Sequence, residues 1–175
     1  MATLPATAPK PLPTDIHPLL RAAMIAGGGL VTMLSIVAVL RWTAGMAPDH
    51  PALKQAAVAI HLVVVLPAVP LGLVLMLRRK GGRSHRTLGM IWMALMLATA
   101  LSAIFIRNIN GGGFSILHLF IPLTLFAVVR AIGTARQGRI DKHKRVMLSF
   151  YLGGLILPGL FAFLPGRLMS LWLLG

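Results

Sequence analysis

The sequence has 175 residues, of which 57% are hydrophobic, and its mean hydropathy of +0.86 is high for a soluble globular protein. It carries 17 Lys and Arg residues against 3 Asp and Glu residues, a net charge of +14, and it has no cysteine. The scarcity of carboxylates excludes paired-acid hydrolysis and di-metal carboxylate centres. The lack of cysteine excludes disulfides, iron–sulfur clusters and covalently attached haem.

The first element in chain order is a proline-rich stretch, residues 1–18, which we predict to be a disordered tail. The rest of the chain, residues 19–175, is predicted to be one transmembrane helical domain. Five apolar runs in it are about as long as the roughly 20 residues that a helix needs to cross a bilayer. These runs cover residues 19–41, 54–77, 87–107, 114–136 and 146–164. The short segment after them is predicted to lie at the membrane interface or to finish the fifth helix.

The orientation follows from the basic residues, which are concentrated in the connections at 78–86 and 136–145. Short loops rich in Lys and Arg stay in the cytoplasm. We therefore predict a multi-pass protein of the inner (plasma) membrane, with a cytoplasmic N-terminus and an external C-terminus. Because the basic residues stand between apolar runs and not along one face of an element, we expect no nucleic-acid partner.

An internal repeat is marked by four histidines. His85 follows His61 by 24 positions, and His143 follows His118 by 25. "IHL" around His61 matches "LHL" around His118, and "HRTLGM" matches "HKRVML". The fold predicted from this repeat is an all-α membrane protein whose helices two to five form a four-helix bundle of two similar hairpins, with helix one packed outside it.

The four histidines are predicted to lie at two levels of the membrane. His61 and His118 share the outer level, and His85 and His143 share the inner level, roughly 20 Å away at 1.5 Å per residue. Two neutral imidazoles facing each other across a bundle are the ligands of a six-coordinate b-type haem, which transfers electrons. We therefore expect two haems, each bound to its iron through one histidine pair. Basic side chains beside the inner pair suit haem propionates: Arg83, Arg86, Lys144 and Arg145.

This layout resembles that of the transmembrane ascorbate-reducible cytochromes b, which carry one histidine on each of four successive helices. Those proteins pair the second helix with the fourth and the third with the fifth to hold two haems. The resemblance covers helices two to five and rests on histidine placement. It implies the same electron-carrier function for His61, His118, His85 and His143.

A second resemblance rests on longer stretches, "HRTLGM" and "HKRVMLSFYLGGLILPGLFAFLPGR". They look like a bacterial family of predicted integral membrane proteins, domain of unknown function 2306, over about residues 55–170. That resemblance implies a multi-helix membrane fold without an established activity.

Other functions are compatible with the same residues. One alternative is that the histidines are structural and each bonds a neighbouring helix. Another is that the inner pair, with its Arg and Lys neighbours, binds anionic lipid headgroups. The protein would then be an accessory subunit of a larger membrane complex, or a small-molecule transporter built from repeats. Ser149 and Tyr151 could hydrogen-bond a quinone carbonyl, or the electron carrier could exchange electrons with another redox partner. Ser102 is interpreted as part of a helix contact face, and His50 as a solvated loop residue.

Overall fold

A computed structural model describes residues 17–78, 80–107 and 111–175. Within them the chain is all-α, and five helices are long and apolar enough to cross a membrane. Most of the predicted tail, residues 1–16, lies outside the described residues. The α-helices are α1 (Pro18–Thr43), α2 (Ala56–Leu77), α3 (Arg83–Ala103), α4 (Phe120–Arg136), α5 (Ile140–Tyr151), α6 (Leu157–Phe161) and α7 (Leu168–Leu174).

Short segments of other helical geometry join these elements. A 3₁₀ turn, Pro51–Lys54, precedes α2, and another, Ile116–Leu119, leads into α4. A π-helical turn, Leu152–Ile156, joins α5 to α6, so that the fifth membrane span runs continuously from Ile140 to Phe161. Each of the five predicted apolar runs thus corresponds to one span.

Two spans begin earlier than predicted, α3 at Arg83 instead of residue 87 and α5 at Ile140 instead of residue 146. The apolar runs miss these turns because the turns are basic, although Arg and Lys are good helix formers. His85 and His143 therefore lie in the first turns of their helices and not in loops. Since both histidines occupy the first turn of a helix, their positions agree with the predicted repeat.

Helices α2 to α5 form a ring. α2 and α3 pack as one antiparallel hairpin and α4 and α5 as the other, while α3 contacts α4 and α2 contacts α5. α2 and α4 therefore occupy opposite corners, as do α3 and α5. α1 lies outside the ring, against α2 and the π turn, as predicted.

Aromatic side chains fill the middle of the bundle. Trp92 from α3 is fully buried, donates a hydrogen bond to the Ala68 carbonyl (2.8 Å) and packs edge-on against Phe150 (5.2 Å between ring centroids). Tyr151 is also fully buried, and its hydroxyl donates to the Val69 carbonyl at 3.3 Å. Gly72 admits both rings, because a Cβ there would stand 2.6 Å from the tyrosine ring and 2.7 Å from the Trp92 nitrogen.

The C-terminal segment does not finish the fifth helix. After α6 the chain turns at Gly166 (φ +77°), and α7 packs separately against α1. Trp172 of α7 stacks on Trp42 at 4.7 Å, and Arg41 donates to the Trp172 carbonyl at 3.2 Å. These contacts hold α7 against the end of α1, where it borders the cavity described next.

Candidate functional site

A cavity of about 550 Å³ lies at one end of the bundle, hereafter the cavity end. Its size falls within the range of small-molecule and cofactor sites, about 300–1,000 Å³. Most of its wall is apolar, and all five membrane spans contribute to it, the fifth through the π turn and α6. The polar and titratable side chains in the wall are Ser35, His50, His61, Thr99, Ser115, His118, Thr124 and Arg167. Two of the four predicted ligands, His61 and His118, thus line one space.

His61 stands one turn into α2 and is oriented by α3. Its Nδ1 lies 3.1 Å from the Thr99 carbonyl oxygen and 3.0 Å from the Ser102 hydroxyl, which itself donates to the same carbonyl. A carbonyl oxygen only accepts, so the network assigns the proton to Nδ1. Nε2 then keeps its lone pair. Donation of the second ring nitrogen to a backbone carbonyl is the usual support of a metal-ligating histidine.

His118 lies in the 3₁₀ turn before α4, at the opposite corner of the ring. Its Nδ1 accepts from the Ser115 backbone N–H at 3.0 Å, with the Ser115 hydroxyl at 3.2 Å and the Ser115 carbonyl oxygen at 3.3 Å. Its Nε2 is buried without a hydrogen-bond partner. In the neutral ring that nitrogen carries the proton, so ligation through Nε2 needs the proton on Nδ1, where the Ser115 carbonyl can accept it. An orphaned buried nitrogen is costly and points to a partner outside the chain.

The π turn and the residues after it form part of the cavity wall. Gly154 and Leu155 from the turn, and Pro158 and Gly159 after it, all border the space. A π turn inserts an extra residue into an α-helix, and such turns are frequent at functional sites. Here it shifts the register of the fifth span just where that span meets the cavity.

The second histidine pair lies at the other end of the bundle, hereafter the basic end. His143 Nδ1 lies 2.9 Å from the Ala131 carbonyl, which again leaves Nε2 with the lone pair. His85 lies within electrostatic range of His143 and Lys80, and its Nδ1 is buried without a partner. The structure thus brings the pair to one end. The cavity does not reach it, and Trp92, Phe150 and Tyr151 occupy the interior between the two ends.

The predicted basic residues surround this pair at the surface. Arg83, Arg86 and Arg145 are exposed, and Lys144 is half-buried with its Nζ 3.8 Å from Asp141. Lys80, in the loop between α2 and α3, donates to the Met76 carbonyl at 3.1 Å. Burial, and then the nearby charges of Lys144 and Arg21, lower the pKa of Lys80. Cations from α1, this loop and α5 therefore converge here.

Several site residues were missed or misassigned from the sequence. Ser102 is not a helix contact alone, since it positions His61. His50 is not a solvated loop residue: it is half-buried, accepts from the Ala52 N–H at 3.1 Å and lines the cavity. Arg167, in the "LPGR" turn, also lines it. Tyr151, considered for a quinone, is buried in the core and bonds the Val69 carbonyl, while Ser149 is exposed. Only contacts between distant segments reveal these roles.

Comparison with known proteins identifies the family of the chain. No curated protein and no solved structure matches the chain. Residues 58–167 match the family described as predicted membrane protein (DUF2306). The match includes both hairpins, all four histidines and the "LPGR" turn. Since it covers more than half of the sequence and the fold has five membrane-spanning helices, the chain belongs to the DUF2306 family of multi-pass membrane proteins.

Proposed function

We propose that the protein is a transmembrane electron carrier that binds b-type haem between His61 and His118 at the cavity end. The observation that carries the proposal is that these two histidines, from opposite corners of the bundle, line one cavity of about 550 Å³. When bound there, haem would supply a one-electron iron couple. Because His61 and His118 would both ligate the iron, the haem would serve electron transfer and not oxygen chemistry.

The residues around the cavity fit such a group. The Thr99 carbonyl and Ser102 hydroxyl hold the His61 ring in the tautomer that leaves Nε2 free to ligate. His118 offers a buried Nε2 that nothing in the described chain bonds. The wall around them, including Leu62, Met96 and Ile121, is apolar and would exclude water from the macrocycle.

The proposal extends to a second haem between His85 and His143. The Ala131 carbonyl supports His143 as the Thr99 carbonyl supports His61, and His85 supplies the second orphaned histidine nitrogen. Arg83, Arg86, Lys144 and Arg145 are the cations that would meet its propionates. Packed aromatic side chains, including Trp92, fill the interior between the two ends. A haem at the basic end would therefore have to lie outside this filled interior. With haems at both ends, electrons would cross the membrane without a mobile carrier.

The test is a visible spectrum of the full-length protein, expressed with ample haem and purified in mild detergent. We expect a Soret band and a reduced-minus-oxidised spectrum of low-spin b type. His61→Ala and His118→Ala should each abolish the cavity-end haem. His50→Ala is the matched control, because His50 lines the same cavity from the loop before α2 but is not one of the four repeated histidines.

Protein that shows no Soret band would overturn the electron-carrier proposal. The histidines would then be structural, and an accessory subunit of a membrane complex would be the better account. A haem that survives both His61→Ala and His118→Ala would overturn the assignment of the site.

A further inference from the structure

Arg167 is the one side chain with a permanent charge among the described residues that line the cavity. The other titratable residues in the wall are His50, His61 and His118, and no carboxylate of the described chain borders the space. Ser35, Thr99, Ser115 and Thr124 add hydroxyls, and the rest of the wall is apolar. The cavity therefore has the character of a site for a mainly apolar ligand with an anionic group.

The position of Arg167 is set by the turn that closes the cavity end. Gly166, with φ +77°, reverses the chain after the fifth span, and Arg167 follows it directly before α7. Its backbone N–H donates to the Leu164 carbonyl at 3.2 Å, which fixes the turn. The side chain is half-buried, and within the described residues it makes no hydrogen bond or ion pair. A partly desolvated guanidinium without an acceptor is unfavourable unless a partner from outside the chain supplies one.

We infer that Arg167 binds a propionate carboxylate of the haem and so orients it with its carboxylates toward the cavity end. This inference rests on the proposed function, because it takes haem to be the occupant of the cavity. Arginine suits the role since its planar guanidinium can form two parallel hydrogen bonds to one carboxylate. Its positive charge would also disfavour the ferric state, and so hold the midpoint potential of the haem above the value without it.

The inference is tested by comparing two porphyrins that differ only in their carboxylates. Full-length apoprotein, made under haem limitation, is titrated with protohaem and with protohaem dimethyl ester, whose propionates cannot be ionised. The wild type should prefer protohaem. Arg167→Gln should weaken protohaem binding about 10- to 100-fold, since hydrogen bonds to charged groups are the strong ones. It should bind the ester as the wild type does.

The control is Arg107→Gln, which removes an exposed arginine from the same end of the bundle. Arg107 lies over the Phe114 ring at 4.4 Å and does not border the cavity. It should keep the wild-type preference for protohaem, and Arg167→Lys should keep part of it. In the Arg167→Gln protein that retains haem, the midpoint potential should be lower than in the wild type.

Each outcome separates the two proposals. If the wild type binds neither porphyrin, the proposed function fails, and this inference fails with it. If the wild type binds haem and Arg167→Gln keeps the full preference for free carboxylates, the function stands and the role of Arg167 is wrong. An Arg167→Gln protein that loses protohaem and ester equally would show that the residue acts on folding alone, which also overturns the inference.

Discussion

The two ends of the bundle carry equivalent histidine pairs in different surroundings. At the cavity end, His61 and His118 border an open, mainly apolar space. At the basic end, His85 and His143 lie in the first turns of α3 and α5, among cations and beside a filled interior. The repeat therefore supplies the histidines twice, but in the part of the chain that the structure describes only His61 and His118 border the cavity of about 550 Å³.

The difference has a local cause in each half. In the interior, Trp92 and Tyr151 lie against Gly72, so that α2, α3 and α5 approach closely. Toward the cavity end, the fifth span contributes the π turn and the small residues Gly154 and Gly159 to the cavity wall. The repeated histidines thus predict where ligating groups lie, while the side chains packed around each pair determine whether a ligand can enter.

The first prediction tests whether the two pairs face opposite sides of the membrane. The native chain has no cysteine, so single cysteines at Ser84 or Gln137 and at Asp49 can be labelled without background. All three positions are exposed. We expect an impermeant maleimide to label Ser84→Cys and Gln137→Cys only from the cytoplasm, and Asp49→Cys only from outside. Labelling of all three from one side would break the assignment of the pairs to two levels.

The second prediction counts haem at the two ends. His85→Ala or His143→Ala should lower the haem content from two to one per chain and leave the cavity-end haem bound, since each pair ligates a separate iron. Pyridine haemochrome assays give the count. If the wild type holds one haem, lost in His61→Ala and retained in His85→Ala, the basic-end pair has another function.

The third prediction concerns the packing that closes the interior. Gly72→Ala would place a methyl group against Trp92 and Tyr151 and should destabilise the protein by about 1–3 kcal/mol, the usual cost of overpacking. The matched control is Gly133→Ala in α4, where a Cβ meets nothing within 4 Å. It should be neutral or stabilising by about 0.5–1 kcal/mol, because alanine favours the helix. Unfolding in detergent measures both, and equal effects would contradict the close approach.

The fourth prediction distinguishes lipid from haem at the basic end. Replacing Arg83, Arg86, Lys144 and Arg145 together by Gln should change the potential of a basic-end haem if their charges meet its propionates. If they bind anionic headgroups instead, the variant should co-purify with less anionic phospholipid, at about 1 kcal/mol of attraction per charge. Mass spectrometry of bound lipid and redox titration decide between these results. Unchanged lipid content and potential would contradict both interpretations.

The fifth and smallest effect is the pH dependence at Lys80. Burial and the charges of Lys144 and Arg21 lower its pKa below 10.5 in the folded protein, so folding disfavours its charged form. Because Lys80 is exposed, solvent screening keeps this penalty small, and Lys80→Met should raise the unfolding temperature at pH 7 by at most about 1–2 °C. As the pH rises from the lowered pKa toward 10.5, wild-type stability should approach that of the variant. The exposed Lys142→Met is the control, and a wild type that falls further behind at high pH would contradict the assignment.

The sequence alone determined the membrane fold. Long apolar runs without acidic residues must be helices in a bilayer, because every backbone polar group has to be satisfied within the segment. The histidine spacing likewise predicted which residues share an end of the bundle. The sequence did not predict that α3 begins at Arg83 and α5 at Ile140. The first turns of both helices are rich in Arg and Lys and therefore lie outside the apolar runs.

Only the tertiary structure decided which histidine pair has a cavity and what surrounds it. Ser102 meets His61 across two helices, His50 reaches the wall from a loop, and Arg167 arrives through a glycine turn far along the chain. None of these contacts follows from the periodicity of apolar residues along the chain. That periodicity indicates on which face of a helix a residue lies, but not which residue it contacts. The cavity itself is bounded by residues of the π turn and by side chains from all five membrane spans. The presence of a cavity results from tertiary packing of side chains, and no single segment of the sequence encodes it.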